Sequence, residues 1–464
     1  MQIANKKDVP ELLDVRIEKM SNLGFGIAKY DGYVIFVSGA CTGDFVKVRL
    51  NKKTKTYANA EVVEIIVPSE YRVEPFCKMQ KVCGACQLQF VEYSAQLKLK
   101  KQMVEDAMQS VFDEEIEIRD VIPSKSDREY RHKIQYPVSE TKDSKRILAG
   151  YYKPKSHELV NIKYCPIQPS ACDEIVEFIR KCAKECYVSG YDENKHNGEL
   201  RHIVLRVSKM TKQVLVTLVV NDKGISSKLK LLANKIYAEL PNIAGVLVNL
   251  NSKRTNLILG DKTILLEGVE FVEEELCDKV FKIGAKTFFQ VNPYTADDIF
   301  RYVKKYIAEN FTKPSILDAY AGITAFGICM SDIASKVVSI EEEKASVELA
   351  KKIIEENKIE NIELHCGDAG DFFADQTSTG RLFDITILDP PRKGCSQNSL
   401  DYAMKLTKSK IIYVSCNPST LARDLKYLKE FGARVEYVQP FDMFPHTYHI
   451  ENVAIIDLQT LQAD

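Results

Sequence analysis

From residue 294 onward the chain alternates short apolar strands with amphipathic helices, and this rhythm constrains the fold more than any other feature. Strands are expected at Ser315 to Asp318, Lys336 to Ile340, Ile362 to His365, Phe383 to Leu388, Lys410 to Val414, Ala433 to Tyr437 and Val453 to Asp457. Helical stretches such as Glu343 to Asn357 and Ser419 to Phe431 lie between most of them. Such alternation builds a parallel sheet covered on both faces, a doubly wound α/β domain. The 464 residues exceed one such domain, so the expected class is multidomain α/β.

The rest of the chain has a different texture. Residues 11 to 67 show period-2 apolar alternation broken by glycines, which suggests a small antiparallel barrel of the OB-like kind. Its Asn51 to Tyr57 stretch is a basic loop with one aromatic, a pattern suited to nucleic acid or to a solvated turn. A helix is expected from about Val91 and another over 171 to 186. Strands are expected over 201 to 220, 243 to 259 and 262 to 281, giving a mixed central domain. Residues 121 to 166 read as irregular, with loops at 138 to 146 and 189 to 198. The expected divisions are a barrel at 1–68, a central domain at 69–285 whose helix at about 91–112 packs on the catalytic domain, and that catalytic domain at 286–464.

The net charge of -1 excludes a histone-like, polyanion-wrapping protein. It conceals a basic segment, residues 125 to 155, with nine Lys and Arg against four Asp and Glu, where a polyanion would lie. The most apolar run, Val214 to Val220, is far short of the roughly 18 residues of a membrane span. The N-terminal stretch lacks a signal-peptide pattern, so a cytoplasmic protein without membrane contact is expected. Thiols stay reduced there, and the 13 cysteines read as packing residues, ligands or a nucleophile.

Leu317 to Ile323 joins a strand to a helix, and Glu341 ends the next strand 19 residues after Gly322. That layout holds a nucleotide-type cofactor, with the backbone approaching at glycine and the carboxylate taking ribose hydroxyls. G-x-G-x-x-G is absent, which lowers NAD and favours S-adenosylmethionine, a ligand without a pyrophosphate. Glu342 and Glu343 compete with Glu341, and Asp368 is placed either to touch the adenine side or to cap a helix. Asp389 opens an Asp-Pro-Pro turn, Cys416 follows an apolar strand before Asn-Pro, and Glu451 precedes the last strand with His446 and His449 nearby. A thiolate, a methyl-donor site and a carboxylate at one sheet edge fit pyrimidine C5 methylation. Thiol addition at C6 makes C5 nucleophilic, and a base then removes the C5 proton. An RNA cytosine C5 enzyme is the near rival, but that class shows Cys after the Pro, where Arg392 follows Pro391 here.

Phe288-Phe-Gln-Val-Asn-Pro293, Asp389-Pro-Pro-Arg392, Ser415-Cys-Asn-Pro418 and His449-Ile-Glu451 together resemble the RNA uracil-5 methyltransferases. Over the whole chain the resemblance is to the 23S rRNA branch with an N-terminal TRAM barrel, an iron–sulfur central domain and a Rossmann-like class I methyltransferase domain. It implies Cys416 as nucleophile and Glu451 as base, with Gln290, Tyr320, Gly322, Glu341, Asp368 and Asp389 around S-adenosylmethionine. It places Gln290 and Asp389 near the target base as well. The donor loop departs from the family's C-G-x-G-(N/T)-(F/I). It reads Ala321-Gly-Ile-Thr-Ala-Phe326, with Thr324 in place of the second glycine.

Cys77, Cys83, Cys86 and distant Cys165 offer four thiolates for zinc or an iron–sulfur cluster. The spacing resembles the family's 4Fe–4S ligands, while Cys172, Cys182 and Cys186 compete for the fourth place. Tyr130, Arg131 and Lys133, with Arg201, His202 and Arg206, look like family segments near the RNA, and the target uridine is expected to flip out. The expected function is uridine C5 methylation of 23S rRNA by a monomer. A tRNA T-loop uridine is the alternative substrate, and a non-catalytic RNA-binding assembly factor is the further alternative.

Overall fold

The computed structural model describes residues 9–222 and 224–458. The first eight residues of the expected barrel and the last six of the expected catalytic domain lie outside the described residues. The N-terminal unit is a six-stranded sheet in the order Leu12–Arg16, Phe45–Lys53, Tyr57–Val67, Tyr33–Ser38, Gly26–Tyr30, Lys19–Met20. Alternate residues such as Val15, Ile35, Val37, Val46 and Val48 fill its interior. Buried Asp44 fastens the barrel to the next segment through the Arg72 guanidinium at 2.7 Å and the Ser69 amide at 2.9 Å.

The central sheet has seven strands in the order Lys262–Gly268, Ile243–Leu250, Val214–Val220, Leu200–Val207, Lys133–Glu140, Ile147–Tyr152, Leu159–Asn161. Helices Ser170–Glu185 and Ser227–Glu239 share one hydrophobic cluster with alternate residues of these strands, among them Ile134, Tyr136, Ile203, Leu205 and Val216. The basic stretch read as irregular therefore contains three strands, and residues 138 to 140 are strand and not loop. Its charged residues hid them, because only one residue in two faces the core. The strand expected over 243 to 259 ends at Leu250. Phe271–Leu276 and Lys279–Gly284 form a separate hairpin, whose Val272, Phe281 and Ile283 pack with Leu215, Leu247 and the catalytic core.

The third sheet runs Ile362–Cys366, Lys336–Glu341, Ser315–Ala319, Phe383–Leu388, Thr407–Ser415, Glu451–Asp457, Arg434–Phe441. The first five strands are parallel, and Glu451–Asp457 runs antiparallel between Thr407–Ser415 and Arg434–Phe441. The inner strands are buried along almost their whole length, as a sheet covered on both faces requires. Helix Tyr93–Gln109 and the segment after it belong to this unit's core. Val104, Met108, Phe112 and Ile118 cluster with Leu400, Leu421 and Val438. Ile118 and Ile122 bridge to Val438 and Phe441, covering the sheet's outer edge.

Candidate active site

The register of the third sheet brings the site together. Ser415 pairs with Asn452 across an antiparallel ladder, so Cys416 and Glu451, one step beyond, face each other at the sheet's carboxyl edge. Leu388 lies beside both Ala319 and Tyr413, which puts Tyr320 and Asp389 on the same edge. Asn417 caps helix Pro418–Glu430 by accepting from the Ser419 amide at 3.1 Å, and Pro418 supplies the first helical turn. Cys416 thus stands at the positive end of that helix. Asn292 caps helix Pro293–Asn310, while its amide donates to Ser124 at 3.0 Å and to the Met443 carbonyl at 3.2 Å. Gln290 is held two residues upstream of that anchor.

One cleft of about 1020 Å³ is lined by Cys416, Glu451, Asp389 and Gln290, and by Tyr320, Gly322, Glu341 and Asp368. The Glu341 carboxylate accepts from the Gly322 amide at 2.8 Å and the Glu343 amide at 2.9 Å, which aims it into the cleft mouth. Gly322 has φ +57°, and a Cβ there would enter open space, so the backbone is bare where a ligand would lie. Asp368 accepts from the Gly370 and Asp371 amides at 2.8 and 3.1 Å, so it caps its helix as well as lining the cleft.

The departure at Thr324 has a local compensation. Thr324 takes φ +61°, a conformation costly for a β-branched residue. A Cβ on Gly327 would stand 2.7 Å from the Thr324 methyl and 2.7 Å from Ser339 Oγ. Glycine at 327 makes the room that threonine at 324 occupies. The Gly327 amide also donates to buried Asp318 at 3.0 Å, whose carboxyl burial pushes up to about 7.

Burial first, and then the Asp389 carboxylate, push Glu451 up to about 8; Arg392 opposes this. Asp389 sits deep in the cleft although part of its surface is accessible, and burial with Asp318 nearby pushes it up to about 7. Burial pushes the half-buried Cys416 thiol up to about 11, with Glu451 and Asp389 adding and the Arg392 guanidinium opposing. Arg392 is the functional candidate the motif reading passed over. Its place after Asp389-Pro-Pro391 puts a cation beside both the thiol and the Glu451 carboxyl. Burial, then Arg392, hold His449 at about 4, so its ring is neutral at ordinary pH.

Of the residues expected at RNA, Arg131 and Lys133 line this cleft. Three others do not fit that expectation. Tyr130 is buried, with its hydroxyl on the Pro445 carbonyl at 2.9 Å, so its ring is closed to a base. Arg201 is buried on the carbonyls of Asn251 and Lys253, and Arg206 on that of Thr287. Their side chains serve packing because the loops they tie down would otherwise bury unpaired carbonyls.

Cys77, Cys83, Cys86 and Cys165 line one small cavity, about 20 Å³ as it stands. Cys172 is buried nearby, and Cys182 and Cys186 lie further along the same helix region; none of these three lines that cavity. Among the described residues, no three His, Cys, Asp or Glu side chains form a group that could hold a metal ion.

A five-stranded parallel sheet extended by an inserted antiparallel strand, with an acidic, glycine-opened cleft at its carboxyl edge, defines a methyltransferase of the Rossmann-like class. Residues 92–458 match the family described as tRNA (Uracil-5-)-methyltransferase, and residues 6–63 match the TRAM domain. The chain belongs to this RNA (uracil-5-)-methyltransferase family. An RNA methyltransferase of Clostridium tetani is 35% identical over 455 residues, covering 97% of this chain and 98% of the relative. One from Halalkalibacterium halodurans is 35% identical over 457 residues, covering 98% of each. Among solved structures, the Pyrococcus abyssi tRNA (uracil-54, C5)-methyltransferase in complex with S-adenosyl-L-homocysteine superposes with TM-score 0.77 at 25% identity. It covers 96% of this chain and 100% of its own. Among the described residues, no helix is long and apolar enough to cross a membrane.

Proposed function

We propose that the protein methylates C5 of an RNA uridine, with Cys416 as nucleophile and Glu451 as general base. The observation carrying this is the ladder register that sets a thiol and a buried carboxyl side by side in the cleft. S-adenosylmethionine, held by Gln290, Tyr320, Gly322, Glu341, Asp368 and Asp389, would supply an electrophilic methyl group. Cys416 Sγ bonds to C6, and the electron pair displaced to C5 takes the methyl. Glu451 then accepts the C5 proton, and the C6–S bond breaks to restore the ring and the thiolate. Arg392 and the helix N-terminus oppose the burial that holds Cys416 as the thiol at rest, and so ease its ionisation as it adds to C6 and its departure as thiolate. Arg131 supplies positive charge for a flanking phosphate, and Lys133, which burial and then Arg206 and Arg131 bring down to about 7, would gain its charge against one.

For the RNA, 23S rRNA is the first reading, on the whole-chain resemblance and the four cysteines. Transfer RNA is the second, supported by the likeness to the Pyrococcus abyssi enzyme. Because that enzyme aligns with 96% of this chain, the barrel by itself does not separate the two. Incubating unmodified transcripts of both with labelled donor, then mapping 5-methyluridine, decides between them. Labelling of neither would refute the reaction. The rate of proton removal should rise with pH, because the base must be ionised. With Glu451 near 8 and Asp389 near 7 acting as a coupled pair, single-turnover rates should climb between pH 7 and 8. Asp389→Asn should move that limb to lower pH by removing a neighbouring negative charge. A limb unmoved by the substitution would separate Glu451 from the titration.

We assign the four cysteines to a 4Fe–4S cluster. The assignment is supported by the Cys77, Cys83, Cys86 spacing with Cys165, which resembles the family's ligands, and by the four side chains lining one cavity. It would tie residues 77–86 to Cys165; methyl transfer itself needs no electrons. Anaerobically purified protein should carry iron and a broad visible absorption band, both lost in Cys165→Ser. Stoichiometric zinc instead would overturn the assignment.

A further inference from the structure

The helices of the central sheet lie on one face, and the hairpin 271–284 covers only part of the other. Where that second face stays open, a groove of about 1210 Å³ runs over Gln135, Pro137 and His202, walled by Tyr151, Tyr152 and Tyr191. His202 pairs with Pro137 in the ladder, and Gln135 with Val204 beside it, so these side chains share a platform. One buried polar atom there, His202 Nδ1, has no hydrogen-bond partner among the described residues. A buried polar atom is normally paired, so His202 Nδ1 at the groove floor points to an absent ligand. Burial keeps His202 at about 4, hence neutral.

The groove's charges are mostly spoken for at its rim: Lys145 with Glu140 at 3.0 Å, Lys195 with Asp192 at 3.8 Å, and His157 with Glu193 at 2.8 Å. Arg201 is held by the carbonyls of Asn251 and Lys253 and Arg131 stands at the junction with the cleft, while Gln135, Pro137, His202 and the tyrosines between them are neutral, which suits the edge and face of a base better than a phosphate. The Tyr152 and His157 rings already stack at 25°. The groove is continuous with the catalytic cleft through Arg131, which lines both and lies 5.3 Å over the Tyr151 ring.

We infer that this groove is a second nucleobase pocket, holding one unpaired base of the substrate RNA near the target uridine while the uridine occupies the cleft. This rests on the RNA methylation reading above. An open sheet face carrying rings and neutral polar side chains gives sequence preference without phosphate contacts, and it makes catalysis depend on a nucleotide that is not modified.

The test uses the full chain and whichever transcript, 23S rRNA or tRNA, it methylates. Gln135→Ala and His202→Ala should each raise KM for RNA about tenfold and leave kcat within about twofold, the loss expected for one base contact. S-adenosylmethionine affinity should not change, which separates lost contact from lost fold. Replacing flanking nucleotides one at a time by abasic residues should reveal one position that weakens wild-type binding about tenfold but adds nothing in His202→Ala. Wild-type KM in both variants, or abasic losses independent of His202, overturns the pocket while methylation stands. No methylation of either transcript by the unaltered enzyme overturns the reaction and the pocket together.

Discussion

Cys416→Ala is expected to reduce methyl transfer to the uncatalysed background, whereas Glu451→Gln is expected to leave the enzyme covalently joined to its RNA. The two outcomes differ because the residues act at different steps. Without the thiol, C5 never becomes nucleophilic, so no amount of donor binding helps. Without the carboxylate, addition and methylation proceed, but the C5 proton stays and the C6–S bond cannot break. Loss of a positioned general base costs about 10²–10⁴-fold in rate, enough for the adduct to outlive an assay. A labelled-methyl assay reads the first variant, and a denaturing gel showing a slower-migrating protein–RNA band reads the second. Methylation of uridine C5 by Cys416→Ala, or release of methylated RNA at normal rate by Glu451→Gln, would remove the covalent route. Glutamine nearly matches glutamate in shape, and Glu451 sits in the ladder opposite Phe441, so the fold should survive the change.

The second large effect lies away from the cleft. Lys100→Met should destabilise the protein by about 3–5 kcal/mol, because it strands a buried carboxylate. Lys100 is fully buried on helix Tyr93–Gln109 and donates to Asp442 at 2.6 Å and to the Phe444 carbonyl at 3.0 Å. The partner segment, residues 442–449, leads directly to Glu451. Gln96 grips the same segment, accepting from the His446 amide at 2.9 Å. The amides of Gln87 and Leu88, just after Cys86, donate to the His446 carbonyl at 2.9 and 2.8 Å. Urea titration of Lys100→Met should show the loss, and the double variant Lys100→Met, Asp442→Leu should recover much of it, since a buried pair replaced by apolar groups leaves no orphan charge. Equal instability of single and double variants would mean that packing, and not the stranded charge, is responsible.

The catalytic sheet was readable in advance because its inner strands are buried on both faces and so are apolar along their whole length. The central sheet was readable only in part: its apolar strands between 200 and 268 stand out, while those at 133–161 put charge on one face and pair with partners far along the chain. The same physics separates the site residues. Strand ends in a doubly wound sheet are informative, and Tyr320, Glu341, Asp389, Cys416 and Glu451 all line one cleft. That Cys416 faces Glu451 needed the antiparallel pairing of the last strand, which periodicity does not encode. Tyr130 shows the opposite limit. A tyrosine in a basic run suggests stacking on RNA, but its hydroxyl finds a carbonyl 315 residues away, and no local pattern announces that.

The grip of helix Tyr93–Gln109 on residues 442–449 also sets a timetable. Lys100 and Asp442 are 342 residues apart, and at about 5–20 residues per second the ribosome needs roughly 17–70 s to make the second after the first. Throughout that interval Val104, Met108 and Phe112 lack the late-made strands they will cover. The nascent chain therefore carries an apolar helix face and a lone lysine meant for burial until synthesis is almost finished. Completion of the catalytic unit is a closing event of translation, and any stall after the central domain leaves a sticky, half-assembled product.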